Sequence, residues 1–145
     1  MALARGDPGP ETNVDKTVKR VVIADDEPHI RALLRAVLTA LGAVVVAEAP
    51  DGEQAVQAFD RHRPDLVMLD MNMPKVDGLA ALKRIRAIEA SASVVMLTSV
   101  NQGSVVEACL DAGALNYLLK DTTAEELTAA LARTWAELPG KQDTP

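Results

Sequence analysis

Five polar residues stand where apolar runs end. Asp25 and Asp26 follow Val21-Val22-Ile23-Ala24, Asp70 follows Leu66-Val67-Met68-Leu69, Thr98 follows Val94-Val95-Met96-Leu97, and Lys120 follows Tyr117-Leu118-Leu119. Brought together, three carboxylates, a hydroxyl and an ammonium would suit a divalent cation and a phosphoryl group. Such convergence needs compensation, because two carboxylates about 4 Å apart repel by ~4 kcal/mol at an effective dielectric of ~20. Lys120 offsets part of that repulsion and a cation more. Oxygen ligands with water describe Mg²⁺ better than zinc, for which the sequence offers no Cys/His cluster. With a cation present, Asp70 becomes a nucleophile toward phosphorus, as carboxylates are in some enzymes. The metal and Lys120 would neutralise the phosphoryl oxygens while Thr98 donates a hydrogen bond to one of them. Singly, each residue has a plainer reading: a strand-end aspartate is usually a helix cap or loop residue, and a lone lysine is solvated. The coincidence of five such residues at four strand ends reverses the odds.

The elements that must position them alternate regularly. The four runs above, with Val44-Val45-Val46, make five short, continuous apolar segments, the pattern of strands buried on both faces of a parallel sheet. Between them, Ile30, Leu33, Leu34, Val37, Leu38 and Leu41 recur at helical spacing, with Pro28 near the start and Gly42 at the end. Further helices are predicted over 52–61, 79–88, 104–112 and 124–138, the last burying Leu127, Leu131, Thr134 and Leu138 on one stripe. Asp51-Gly52, Pro64 and Asp77-Gly78 punctuate the joins. The alternation predicts a doubly wound α/β domain of (βα)₅ form. In a flavodoxin-like strand order 2-1-3-4-5, strands one and three adjoin at the switch point, where ligands bind outside the carboxyl ends. Asp25, Asp26 and Asp70 would then converge, and edge strand two contributes nothing comparable.

Composition sets the bounds. The chain has 145 residues, enough for one domain with a real core, and a net charge of −6 with no basic stripe, which argues against binding nucleic acid. The single Cys109 excludes a disulfide framework and suits a reducing compartment. No apolar run approaches the ~20 residues of a membrane span, and the N-terminus lacks a signal-peptide stretch, so a cytoplasmic location and no membrane partner are expected. Residues 1–17 and 139–145 are expected to be tails flanking a domain over 18–138. Arg5-Gly6-Asp7, an adhesion tripeptide elsewhere, reads as chance here.

From Lys19 to Leu138 the sequence resembles the receiver domain of bacterial two-component response regulators. The motifs are Val21-Val22-Ile23-Ala24-Asp25-Asp26-Glu27-Pro28, Asp65-Leu66-Val67-Met68-Leu69-Asp70-Met71-Asn72-Met73-Pro74 with Asp77-Gly78, Met96-Leu97-Thr98-Ser99, and Gly113-Ala114-Leu115-Asn116-Tyr117-Leu118-Leu119-Lys120. The resemblance implies that Asp70 is the phosphoacceptor in a phosphorelay. It implies that Asp26 ligates Mg²⁺ directly, Asp25 mainly through water, and Asn72 through its backbone carbonyl. Thr98 would follow the phosphoryl group, Lys120 would ion-pair, and Tyr117 would be the aromatic switch residue. Met73-Pro74 and Gly78 would shape the loop past the acceptor. A histidine kinase or phosphotransfer protein is the implied donor. The surface of helix four, strand five and helix five is the implied place for an output partner or homodimer. Asp121 stands where most receivers have proline. The Leu-Leu-Lys-Asp ending is similar to regulators whose receiver precedes a LuxR-type helix-turn-helix domain, so the chain is expected to be either a stand-alone receiver or part of a DNA-binding regulator.

The remaining conspicuous residues read as structure. His29 and His62 are expected at the solvated surface, Cys109 as a buried inert thiol, and Trp135 at the edge of the core. Tyr117 could be core, but its place three residues before Lys120 favours the switch. Two further readings compete with a working receiver. Haloacid-dehalogenase-type phosphatases also use an aspartate, Mg²⁺ and a lysine, but carry the nucleophile on the first strand. A degenerate receiver would have lost an acidic residue or the lysine, and all five residues are present.

Overall fold

The computed structural model describes residues 19–99 and 103–138. The expected tails at 1–17 and 139–145, with Arg5-Gly6-Asp7, lie outside the described residues. Among the described residues five strands and five helices alternate: β1 (Arg20–Ala24), α1 (Pro28–Ala40), β2 (Val44–Ala49), α2 (Gly52–His62), β3 (Leu66–Asp70), α3 (Gly78–Ile88), β4 (Val94–Thr98), α4 (Gly103–Asp111), β5 (Asn116–Leu119) and α5 (Ala124–Glu137). The strands form one parallel sheet in the order β2-β1-β3-β4-β5, the doubly wound arrangement expected.

The continuous apolar runs become strands because both faces of the sheet are covered. Odd and even positions serve different cores. Val22, Ala24, Val67, Leu69, Val94 and Met96 point to the side of α2, α3 and α4, where Phe59, Leu82, Ile85 and Cys109 meet them. Val21, Ile23, Leu66, Met68, Val95 and Leu97 point to α1 and α5, against Leu34, Leu38, Leu127 and Leu131. β3 and β4 are buried throughout. β2, at the edge, departs from the expected two-sided burial: Val44 is 48% exposed. It also runs three residues past Val46, because pairing with β1 carries the poorer strand formers Ala47, Glu48 and Ala49 along with it.

Local chemistry sets the helix ends. Pro28 starts α1 with no side-chain cap from Glu27. Asp51 caps α2 through Gln54 N at 2.8 Å, and Asp77 caps α3 through Ala80 N at 2.9 Å. Thr123 and Glu126 form a capping box on α5. Within α5, Leu127, Leu131 and Thr134 are buried, and Leu138 just beyond its end packs against the same core.

Candidate functional site

The register of the sheet brings the five polar residues together. Ala24 lies opposite Leu69, so the residues that follow, Asp25 and Asp70, emerge side by side. Asp70 lies opposite Leu97, which places Thr98 one step further along. Thr98 lies opposite Leu119, and Lys120 follows. Backbone hydrogen bonds beyond the strands hold this stagger: Asp25 N to Ala49 O at 3.0 Å, Met71 N to Leu97 O at 2.9 Å, and Lys120 N to Thr98 O at 2.8 Å.

Lys120 is the centre of the charge network. Its Nζ lies 3.0 Å from Asp25 Oδ2, 3.3 Å from Asp70 Oδ2 and 2.9 Å from Glu27 Oε1. Asp25 and Asp70 are buried, whereas Asp26, adjacent in sequence, is exposed. Asp25 Oδ1 accepts from Glu27 N at 2.9 Å, and Asp70 Oδ1 accepts from Asn72 N at 3.3 Å. Burial, reinforced by the charge on Asp25, pushes the Asp70 carboxyl from its ordinary 3.8 up to about 6, against the opposing pull of Lys120. Burial alone would lower the Lys120 ammonium, but its hydrogen bond to Glu27, its close contact with Asp25 and the charges of Asp70 and Asp25 raise it. The hydrogen bond from Lys120 holds Glu27 below the usual carboxylate range.

The donor set fits a hard divalent cation. Asp25, Asp26 and Asp70 each offer a carboxylate oxygen, all within 4.8 Å of one another. Asp25 Oδ2 is buried, with an ion-pair contact to Lys120 and no hydrogen bond of its own. A buried acceptor left in that condition beside further carboxylates matches oxygen-ligated Mg²⁺. An opening of about 240 Å³ lined by Asp26, Glu27, Asp70, Asn72, Ser99 and Lys120 gives access from solvent.

Tight backbone contacts fix the loop after Asp70. Gly78 donates its N–H to Met71 O at 2.9 Å, and a Cβ there would stand 2.2 Å from Asp70 O. On the other side, a Cβ on Gly52 would stand 1.8 Å from Val76 O. Lys75 takes the left-handed φ of 71° and reaches to 3.7 Å from the α2 cap, Asp51. The start of α2 therefore clasps this loop, a role the sequence gives no sign of.

Thr98 is buried at the end of β4. Tyr117 pairs with Met96, so it lies on the same sheet face as Thr98, half-buried against the core of that side. It also borders an opening of about 320 Å³ between β5 and α5. The Lys120–Asp121 peptide is trans. Cys109 is buried with its Sγ 3.5 Å from Met71 Sδ, and burial raises its thiol, which agrees with an inert role. Trp135 packs at the edge of the core as expected. His29 is exposed, and His62 is half-buried, its carbonyl accepting from Arg20 at 2.8 Å. Sequence reasoning missed the third carboxylate on Lys120. Glu27 sits inside the acidic motif, and only that adjacency could have signalled it. Asp70 closes β3 rather than β1, which sets the site apart from the dehalogenase-type arrangement.

The family model of the response regulator receiver domain matches residues 21–132. The chain is 38% identical over 115 residues to chemotaxis protein CheY of Bacillus subtilis (strain 168), covering 79% of this chain and 96% of that one. It is 42% identical over 124 residues to transcriptional regulatory protein PdtaR of Mycobacterium tuberculosis, covering 85% of this chain but 60% of that protein. Against a solved complex described as CheX-CheY-BeF3-Mg+2 from Borrelia burgdorferi, the TM-score is 0.76 at 28% identity, over 81% of this chain and 89% of that one.

Proposed function

From membership of the response regulator receiver family, to which this chain belongs, we propose that Asp70 is its phosphoacceptor in a two-component phosphorelay. The donor is a histidine kinase or a phosphotransfer protein. One observation carries the assignment: Asp70 is 2% exposed yet opens onto the solvent cleft, paired with Lys120 and clustered with Asp25 and Asp26.

An Asp70 carboxylate oxygen attacks phosphorus, an O–P bond forms, and the P–N bond of a phosphohistidine breaks with its electron pair leaving on the imidazole. Lys120, on the same cleft, neutralises charge on the phosphoryl oxygens, and the Thr98 hydroxyl donates to one of them. Asp25, Asp26, Asp70 and the backbone carbonyl of Asn72 would hold Mg²⁺, which when bound supplies further charge neutralisation. Burial of the acceptor beside Asp25 supports this reading, since an acidic pair under such strain gains from any cation. The domain is a regulator whose transfer and loss of phosphate are self-catalysed. Thr98 and Tyr117 pass its state to the face of α4, β5 and α5, where an output partner or second copy docks. Among the described residues no helix is long and apolar enough to cross a membrane, and we place the domain in the cytoplasm with its kinase.

The test is incorporation of phosphate from acetyl phosphate, where the bond broken is the acyl-phosphate P–O. The intact protein with Mg²⁺ should be labelled, whereas Asp70→Asn, or the intact protein with chelator, should not. Labelling that persists in Asp70→Asn would refute the assignment.

A further inference from the structure

Glu27 has no part in the reading above, yet it holds the lysine on which that reading depends. Its Oε1 lies 2.9 Å from Lys120 Nζ, nearer than Asp70 Oδ2 at 3.3 Å. An ammonium has three N–H donors, and here three carboxylates surround it. A phosphoryl group on Asp70 adds strong acceptor oxygens. Those oxygens compete for Lys120 with the carboxylates already around it, of which Glu27 and Asp70 accept its hydrogen bonds.

The three partners differ in their freedom to yield. Asp25 is fixed: it is 0% exposed, its Oδ1 accepts from Glu27 N, and its carbonyl accepts from Arg31 Nη1 at 2.5 Å. Asp70 gives up its carboxylate charge to the acyl phosphate, but the phosphoryl group it then carries brings more charge to the same lysine. The Glu27 side chain is 47% exposed at the mouth of the cleft, and Lys120 is its one ion-pair partner among the described residues. It can turn to water at little cost, whereas Asp25 cannot.

We propose that Glu27 is a positioning residue that holds Lys120 in the unphosphorylated protein and releases it to the phosphoryl group, and so sets how far the phosphorylated state is favoured. The inference rests on Asp70 being the phosphoacceptor. Glu27 acts as a competitor: its carboxylate stabilises the resting arrangement of Lys120 and opposes the engaged one. It stands outside the group of carboxylates placed to share a cation, so its effect is separable from metal binding.

The experiment measures beryllofluoride affinity, with Mg²⁺ saturating, for the full chain and for Glu27→Gln, alone and in a Lys120→Met background. Glu27→Gln should bind beryllofluoride about two- to five-fold tighter, the scale of an exposed ion pair, while its affinity for Mg²⁺ alone stays within about two-fold of wild type on that same scale. The gain should vanish with Lys120→Met, as a double-mutant cycle requires of residues that act through each other. If wild type fails to bind beryllofluoride, the Asp70 reading falls and takes this inference with it. If wild type binds but Glu27→Gln binds equally or more weakly, only the Glu27 inference falls. An equal gain without Lys120 also overturns it, since Glu27 would then act as a bare charge. Should Lys120→Met fail to fold, the ¹⁵N resonance of Lys120 Nζ gives an independent reading. In free Glu27→Gln it should already be displaced toward its position in beryllofluoride-bound wild type, and coincidence with free wild type would overturn the inference.

Discussion

Replacing Asp70 by asparagine should stabilise the metal-free protein at neutral pH. The wild-type carboxyl is raised from 3.8 to about 6, first by burial and then by Asp25, with Lys120 only partly compensating. A carboxyl raised on folding is easier to fold in its protonated form. Its contribution is therefore fully favourable below pH 3.8 and is lost as pH rises through about 6. The span between the two values corresponds to as much as about 3 kcal/mol at pH 7. Asparagine keeps the shape of the neutral acid, so Asp70→Asn should recover up to that amount above pH 6 and essentially none below pH 3.8. Urea unfolding in EDTA from pH 3.5 to 8 measures this, with the difference between variants cancelling the titration of groups remote from the site. Mg²⁺ should then stabilise the wild type more than the variant, because it binds the folded form with one more carboxylate. A stability gain independent of pH, or none at pH 7, would refute the claim that Asp70 is held ionised at a cost.

Gly52→Ala places a methyl 1.8 Å from the Val76 carbonyl, so it should destabilise by about 1–3 kcal/mol in chemical unfolding and slow labelling from acetyl phosphate. Gly103→Ala, whose Cβ would meet nothing within 4 Å, should lose neither. Thr123→Ala removes the α5 capping box and should cost about 1 kcal/mol by thermal or urea unfolding, with phosphate incorporation unchanged. Thr98→Ala should still be labelled on Asp70, more slowly, but its amide shifts over 104–138 should respond weakly to beryllofluoride; a response equal to wild type would exclude Thr98 from the coupling.

Much of this was legible in the sequence because the central strands are buried on both faces and so read as unbroken apolar runs. Once the order 2-1-3-4-5 is granted, the residues after those runs must meet at one edge, and Asp25, Asp70, Thr98 and Lys120 do. What local pattern cannot give is contact across the chain. Glu27 and Lys120 are 93 residues apart, and the Gly52–Val76 approach joins two loops whose own sequences look ordinary. The unlike fates of Asp25 and Asp26, one buried and one exposed, depend on where β1 stops against β2 and β3. The length of β2 was missed for the same reason, since Ala47-Glu48-Ala49 is a strand only by virtue of its neighbour.

The strain at Asp70 also bears on how the domain signals. A ligand shifts a conformational equilibrium only by its differential affinity for the two states, and allosteric couplings amount to about 1–3 kcal/mol. Burial and the neighbouring Asp25 already weigh against an ionised Asp70 in the resting fold. Lys120 opposes this, being shared among three carboxylates and joined directly to the end of β5, the strand that carries Tyr117. A phosphoryl group arriving at Asp70, as proposed, would redistribute charge already crowded in the resting cluster rather than impose it on a relaxed site. On the proposed reading, the face of α4, β5 and α5 would then need only a modest repacking, biased by the acidic cluster that Lys120 restrains.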